Sequence, residues 1–207
     1  MISIDKEIVS PYRTNCYFVY KGDLGIIIDP GGDCHKIKRK LEELKNIKFK
    51  YVFNTHGHED HTYCDYFLKK EYGMKIFIHE KDAFFISNNA YNKKYIFDFK
   101  DVEIDKLLKD GDEIDLELFK IKVFHTEGHT PGSSMFIIDN IIFSGDTIFK
   151  GSIGRVDFEY SSSIKMKNSI IKILNNLDYS YEIYPGHGPP TKLIDEIENL
   201  NYFLEVL

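Results

Sequence analysis

The sequence predicts an α/β protein built as a four-layer αββα sandwich, with two β-sheets face to face and helices on both outer surfaces. Three observations lead there. Apolar strand-like runs fall into two groups, one in each half of the chain. Strand and helix alternate through the first half, as they do when helices pack on a sheet. Helical periodicity recurs near the end of the second half, which gives each sheet its own cover.

The elements follow in chain order. Ile2–Val9 and Thr14–Tyr20 place β-branched and aromatic residues at strand spacing. Leu24–Asp29 is a short apolar run stopped by Pro30-Gly31-Gly32. Asp33–Lys45 reads as a helix, because Ile37, Leu41 and Leu44 recur at intervals of four and three among charges. Phe49–Asn54 is a strand, Asp60–Glu71 a helix, Lys75–Ile78 a strand and Glu80–Asn88 a helix. Asn89–Asp105 lacks clear periodicity and is expected to be an irregular surface loop. Beyond Asp110-Gly111, strands are expected at Ile114–Phe124, Ser133–Ile138 and Asn140–Ser144. Ser161–Leu177 is a long amphipathic helix through Ile164, Ile170, Ile171 and Leu174. Glu182–Tyr184 is a last strand, and Pro190–Leu207 a closing helix. No repeat, low-complexity stretch or linker interrupts this order, so residues 1–207 read as one domain.

Composition narrows the function classes. The 207 residues are 43% hydrophobic and 29% charged, with 27 Lys plus Arg against 33 Asp plus Glu and a net charge of −6. That balance suits a soluble globular chain and disfavours general nucleic-acid binding or attachment to anionic membranes. No apolar run approaches the roughly 20 residues of a membrane helix. Asp5, Lys6 and Glu7 stand where a signal peptide would be apolar, so the cytoplasm is the expected compartment. Cys16, Cys34 and Cys64 are too few and too scattered to suggest a disulfide framework. Cys64 reads as a partly buried helix cysteine and not as a nucleophile.

The chemistry concentrates in Thr55-His56-Gly57-His58-Glu59-Asp60-His61, directly after a strand. His56 and His58 share a side if the backbone stays extended, since side chains alternate with period two. Asp60 and His61 fall where a helix should begin, so the turning chain can aim them at a second point. Imidazole and carboxylate suit zinc, manganese or iron, and no cysteine supplies a soft ligand here. His129 in Gly128–Gly132 lies 68 residues beyond His61. Asp146 in Phe143–Thr147 and His187 in Pro185–Pro189 each follow a strand, and glycine or proline flanks all three. His79 and His125 read as supporting residues and His35 as solvated.

The series THGHEDH, GHTPG, SGDT and PGHG resembles the metallo-β-lactamase superfamily and, within it, the short single-domain bacterial glyoxalase II-like hydrolases. TNCYFV and IIIDPGG look like that family's first strands, so the resemblance spans nearly the whole chain. It implies the metallo-β-lactamase fold and two divalent ions, zinc first, with iron or manganese possible. It also implies that His56, His58 and His129 hold one ion, that Asp60, His61 and His187 hold the other, and that Asp146 bridges them. Asp60 would serve both as ligand and in orienting the attacking hydroxide. Five neutral histidines and two carboxylates would leave two dications with a net charge of +2, suited to a metal-bridging hydroxide nucleophile. The implied activity is hydrolysis of a small thioester such as S-2-hydroxyacylglutathione.

Gly151–Phe158 resembles the GSIGRxD loop of the short glyoxalase II-like enzymes. Arg155 either pairs a substrate carboxylate there or ties Asp157 in place. Two departures stand out. Larger glyoxalase II proteins add a helical domain, so a glutathione site here is expected to be incomplete. Tyr63 and Cys64 follow the ligand motif where many relatives have glycine, which is expected to put bulk near the metal. The alternatives are a mononuclear-iron persulfide dioxygenase, which shares the ligands, and a hydrolase of lactones or other esters. A flavo-diiron protein would normally have Glu at position 58, and many β-lactamases use a cysteine ligand missing here. The expected partner is a small molecule, neither nucleic acid nor membrane, and the sequence leaves the oligomeric state open.

Overall fold

A computed structural model describes residues 1–88 and 91–207. The first sheet contains β1 (Ser3–Val9), β2 (Thr14–Lys21), β3 (Leu24–Ile28), β4 (Lys48–Asn54), β5 (Lys75–His79) and β6 (Lys106–Leu108), in that spatial order. Pairing is antiparallel through β3 and parallel from there on. The second sheet is built from β7 (Glu113–Asp115), β8 (Lys120–His125), β9 (Ser134–Ile138), β10 (Ile141–Gly145), β13 (Glu182–Pro185) and β14 (Thr191–Lys192). Its spatial order is β14-β13-β10-β9-β8-β7, with β10 and β13 parallel. A small hairpin, β11 (Ile148–Phe149) with β12 (Ser152–Ile153), stands apart.

Three apolar clusters mark the three interfaces of a four-layer sandwich. Between the sheets, Tyr17, Ile26, Ile28 and Phe53 meet Phe119, Val123, Phe136 and Phe143. Outside the first sheet, α1 (Cys34–Glu43) and α3 (Asp65–Tyr72) cover it by packing Ile37, Leu41 and Leu68 over Phe18, Ile27, Val52 and Ile76. Outside the second, α6 (Ser163–Asn176) and α7 (Leu193–Val206) set Ile170, Ile173, Leu193 and Leu200 against Met135, Ile137, Ile142 and Ile183. Strands β2 and β3 have apolar side chains on both faces because each face meets a different layer.

Several segments depart from the sequence-based expectation. The helix expected over Asp60–Glu71 is two helices, α2 (Glu59–Thr62) and α3, separated at Tyr63 and Cys64. The break has a cause: the Cys64 amide donates to the Pro30 carbonyl at 3.0 Å, and Cys64 is disulfide-bonded to Cys34. That disulfide corrects the reading of the cysteines as too few and too scattered for a disulfide framework, and of Cys64 as a partly buried helix cysteine. The two Cα atoms lie 5.6 Å apart although 30 residues separate them in sequence, so only the fold brings them together. Cys16 stays free and buried. The strand expected over Ile114–Phe124 is interrupted between β7 and β8, where Glu117 takes a left-handed φ of 64°.

The segment expected to be an irregular loop, Asn89–Asp105, contains a helical turn, α5 (Asn92–Tyr95), and leads into β6; residues 89 and 90 lie outside the described residues. Glu80–Asn88 opens as a 3₁₀ turn over Glu80–Asp82 before α4 (Ala83–Ser87). The closing helix starts only at Leu193, because Thr191 and Lys192 pair with β13. Among the described residues no helix is long and apolar enough to cross a membrane.

Candidate metal centre

The ligand candidates sit at the carboxyl ends of strands from both sheets. His56, His58, Asp60 and His61 follow β4, and His129 lies between β8 and β9. Asp146 follows β10, and His187 follows β13. The structure brings all seven together. Donor atoms of His56, His58 and His129 lie within 4.8 Å of one another, as do those of His56, His61 and Asp146, and those of Asp60, His61 and His187. His61 Nε2 is 3.5 Å from Asp60 and 3.4 Å from both Asp146 and His187. His129 Nε2 stands 3.0 Å from His58 Nδ1 and 3.5 Å from Asp146.

Neighbours fix how these rings point. The Asp29 carboxylate accepts from His61 Nδ1 at 2.9 Å and from the Thr55 amide and hydroxyl at 2.7 Å each. His61 therefore carries its proton on Nδ1 and presents Nε2 to the centre. His129 Nδ1 donates to the Arg155 carbonyl at 2.8 Å, which leaves its Nε2 as the free acceptor. Asp60 accepts from the Thr14 hydroxyl at 2.7 Å. Asp82, fully buried, accepts from the Gly57 amide (2.9 Å), the Thr130 hydroxyl (2.6 Å) and the Gly132 amide (2.5 Å). One carboxylate thus ties the His56–His58 loop of the first sheet to the His129 loop of the second. Gly57 is required where it stands, since any Cβ there would collide with Phe85.

The sequence reading missed Asp29, Asp82 and Thr14. Asp29 had a signal, an acid closing a wholly apolar strand before Pro-Gly-Gly. Asp82 had none, because its partners lie 25 to 50 residues away. Tyr63 and Cys64 do not crowd the centre as expected. Tyr63 donates to Asp98 at 3.0 Å, and Cys64 is turned into its disulfide. His79 and His125 stack with ring centres 4.1 Å apart, away from the ligands, and His35 is exposed.

The donor set fits divalent cations. His56 Nε2 and Asp146 Oδ1 are buried without a hydrogen-bond partner. Unpaired buried acceptors are costly unless a cation or donor meets them. Burial drives His56 and His129 below the usual imidazole range, and burial, together with the nearness of the His129 ring, takes His58 down to about 3; all three shifts favour the neutral form that a ligand needs. Burial would also lower His61 and His187, but the surrounding carboxylates outweigh it. Asp60, Asp146 and Asp29 lift His61 to about 9, and Asp146 and Asp60 lift His187 to about 10. Burial likewise opposes ionisation of Asp60 and Asp146, yet the His61 and His187 charges hold Asp60 well below the carboxylate range and, with His129, Asp146 at about 2. This half of the centre is built around compensating charge, the role a dication takes over from two protons.

Above the donors opens a cleft of about 570 Å³, lined by Tyr12, Glu59, Tyr91, Phe149, Arg155 and Phe158 among others. Arg155 is at the cleft but directs Nε and Nη2 to Asp157 at 2.8 Å each, the second of the two arrangements its sequence context allowed.

Comparison with known proteins adds to this geometry. The family model described as "Metallo-beta-lactamase superfamily" matches residues 9–187. The chain is 32% identical to the hydroxyacylglutathione hydrolase GloC of Haemophilus influenzae over 198 residues, covering 91% of this chain and 92% of that one. Among solved structures it resembles the BLEG-1 B3 metallo-beta-lactamase, with a TM-score of 0.85 and 26% identity over 98% of this chain and 99% of that one. It also resembles TTHA1623, solved in a di-iron-bound form, with a TM-score of 0.83 and 25% identity over 94% of this chain and 98% of that one.

Proposed function

The chain belongs to the metallo-beta-lactamase superfamily, and from that premise we propose that it is a metal-dependent hydrolase of a small thioester. S-2-Hydroxyacylglutathione is the compound of this class that the name of the Haemophilus relative suggests. In this reading His56, His58 and His129 would hold one divalent ion, Asp60, His61 and His187 would hold a second, and Asp146 would serve as a ligand at the same centre. Zinc is the first candidate, and histidine with carboxylate also suits iron or manganese. The observation that carries the proposal is the convergence of seven buried or partly buried donors, with His58 Nδ1 and His129 Nε2 facing each other at 3.0 Å.

Bound there, a metal pair would supply hydroxide near neutral pH and positive charge for the carbonyl oxygen. The chain's own residues place the reactants. Asp60, steadied by the Thr14 hydroxyl, orients the attacking water. Asp29 holds His61 with Nε2 inward. A thiolate with a pKa near 8.5 leaves with little protonation, so no separate general acid is needed.

Metal analysis of protein purified without added metal is expected to give between one and two equivalents per chain. His56→Ala and Asp146→Ala should each lower metal content and rate together, by at least a hundredfold in kcat. Full activity in metal-free protein would refute the proposal. Activity should be assayed in parallel on S-lactoylglutathione, other thioesters, a lactone and a β-lactam. One iron per chain with oxygen uptake on glutathione persulfide would instead assign a mononuclear-iron persulfide dioxygenase.

A further inference from the structure

The walls of the cleft differ in character from its floor. Tyr12, Tyr91, Tyr95, Phe149, Ile153 and Phe158 face it around the ligands. The Tyr91 ring stacks on His58, with centres 5.9 Å apart and planes 20° from parallel. Phe158 meets His58 and His129 edge-on at 5.6 and 5.8 Å, and Phe149 meets His187 at 5.9 Å. Tyr12 and Tyr95 remain 61% and 54% exposed, so their surfaces are free to be covered by a substrate.

These rings are held in place. Asn92 donates to the Gly57 carbonyl at 2.8 Å and to the Phe85 carbonyl at 3.0 Å. The segment bearing Tyr91 and Tyr95 is thereby fastened to the glycine between His56 and His58. Lys94 pairs with Glu159 at 3.0 Å, joining that segment to the one bearing Phe158.

Charge points the same way. Arg155 is the only lysine or arginine among the described lining residues. Its Nε and Nη2 serve Asp157, and its guanidinium lies over the Phe158 ring at 4.2 Å. Glu59 adds a carboxylate to the wall. A carrier with two carboxylates, such as glutathione, would meet one committed cation and an acid. An uncharged ring would meet aromatic faces and edges, the arrangement aromatic pairs prefer.

Resting on the thioester reading, we infer that the preferred substrate has an uncharged aromatic acyl group and a thiol carrier without paired carboxylates. Metal-loaded full-length protein is assayed on four compounds, the acetyl and phenylacetyl thioesters of N-acetylcysteamine and of glutathione. kcat/KM should be at least tenfold higher for phenylacetyl than for acetyl on either thiol, and glutathione should bring no gain over N-acetylcysteamine. Tyr95→Ala should cut the phenylacetyl-to-acetyl ratio at least threefold, whereas Tyr95→Phe should keep it. Calorimetry gives a readout without turnover: phenylacetate should bind at least tenfold tighter than acetate, and Tyr95→Ala should erase that difference. An acyl ratio near one, or a tenfold advantage for the glutathione carrier, overturns the inference and leaves thioester hydrolysis standing. Absence of turnover on all four compounds overturns both.

Discussion

Asp65 is buried beside Asn54, which donates to it at 2.5 Å, while Asp65 Oδ1 and Asn54 Oδ1 have no partner. Burial raises its pKa well above the carboxylate range, and the Asn54 hydrogen bond only partly offsets this. The folded protein therefore favours the protonated acid. Its contribution to stability is complete below the unfolded value near 3.9 and is lost as pH rises through the higher folded value. Asp65→Asn removes that loss and lets two amides pair. Denaturant titrations should find the variant more stable by about 1–3 kcal/mol on the alkaline side, with the gap closing toward acid. Parallel pH profiles for the two proteins would show the carboxylate to be ionised and paired. Asp82 makes the contrast, for three donors hold it and its pKa is pushed up only to about 6 by burial.

Between elements, the Cys34–Cys64 disulfide joins the starts of α1 and α3 on the outer face of the first sheet. Closing a loop of 30 residues removes unfolded-state entropy worth about 3–4 kcal/mol. The double variant Cys34→Ser/Cys64→Ser should lose roughly that much by denaturant titration, and dithiothreitol should produce the same loss in the parent alone. What the sequence disclosed at this scale follows interaction range. His56 to His61 fall within six residues, and the apolar periods that mark β3 or α6 are equally local, so both are legible. The cysteine pairing, the Asp82 bridge and the split of the expected Asp60–Glu71 helix arise from contacts between distant segments, which no window along the chain contains. Two-residue strands such as β11, β12 and β14 are set by their partners more than by their own residues.

Across the whole molecule, the centre lies on the seam between the sheets. The Asn15 amide group of β2 donates to the carbonyls of Pro185 and Gly188 at 2.9 Å each, and Tyr17 donates to Pro185 at 2.6 Å, so the first sheet grips the loop of His187. The Ser134 amide of β9 donates to the Thr55 carbonyl at 2.9 Å in the reverse direction. Ions held by both sheets, as proposed, would bind the folded state alone and stabilise it by mass action. Stripping them with a chelator should lower the melting temperature by several degrees, and hydrogen exchange should quicken together in residues 54–62 and 185–188. Exchange rising in one of these loops alone would mean that the two sheets do not share the ions.

β6 ends the first sheet at Leu108 and β7 opens the second at Glu113, so the crossing falls at exposed residues Lys109–Gly111. A chain severed there yields two pieces, one with His56, His58, Asp60 and His61, the other with His129, Asp146 and His187. Neither piece owns a complete set of donors. The candidate metal centre is in effect a two-key lock, and its assembly reports that both halves have found each other.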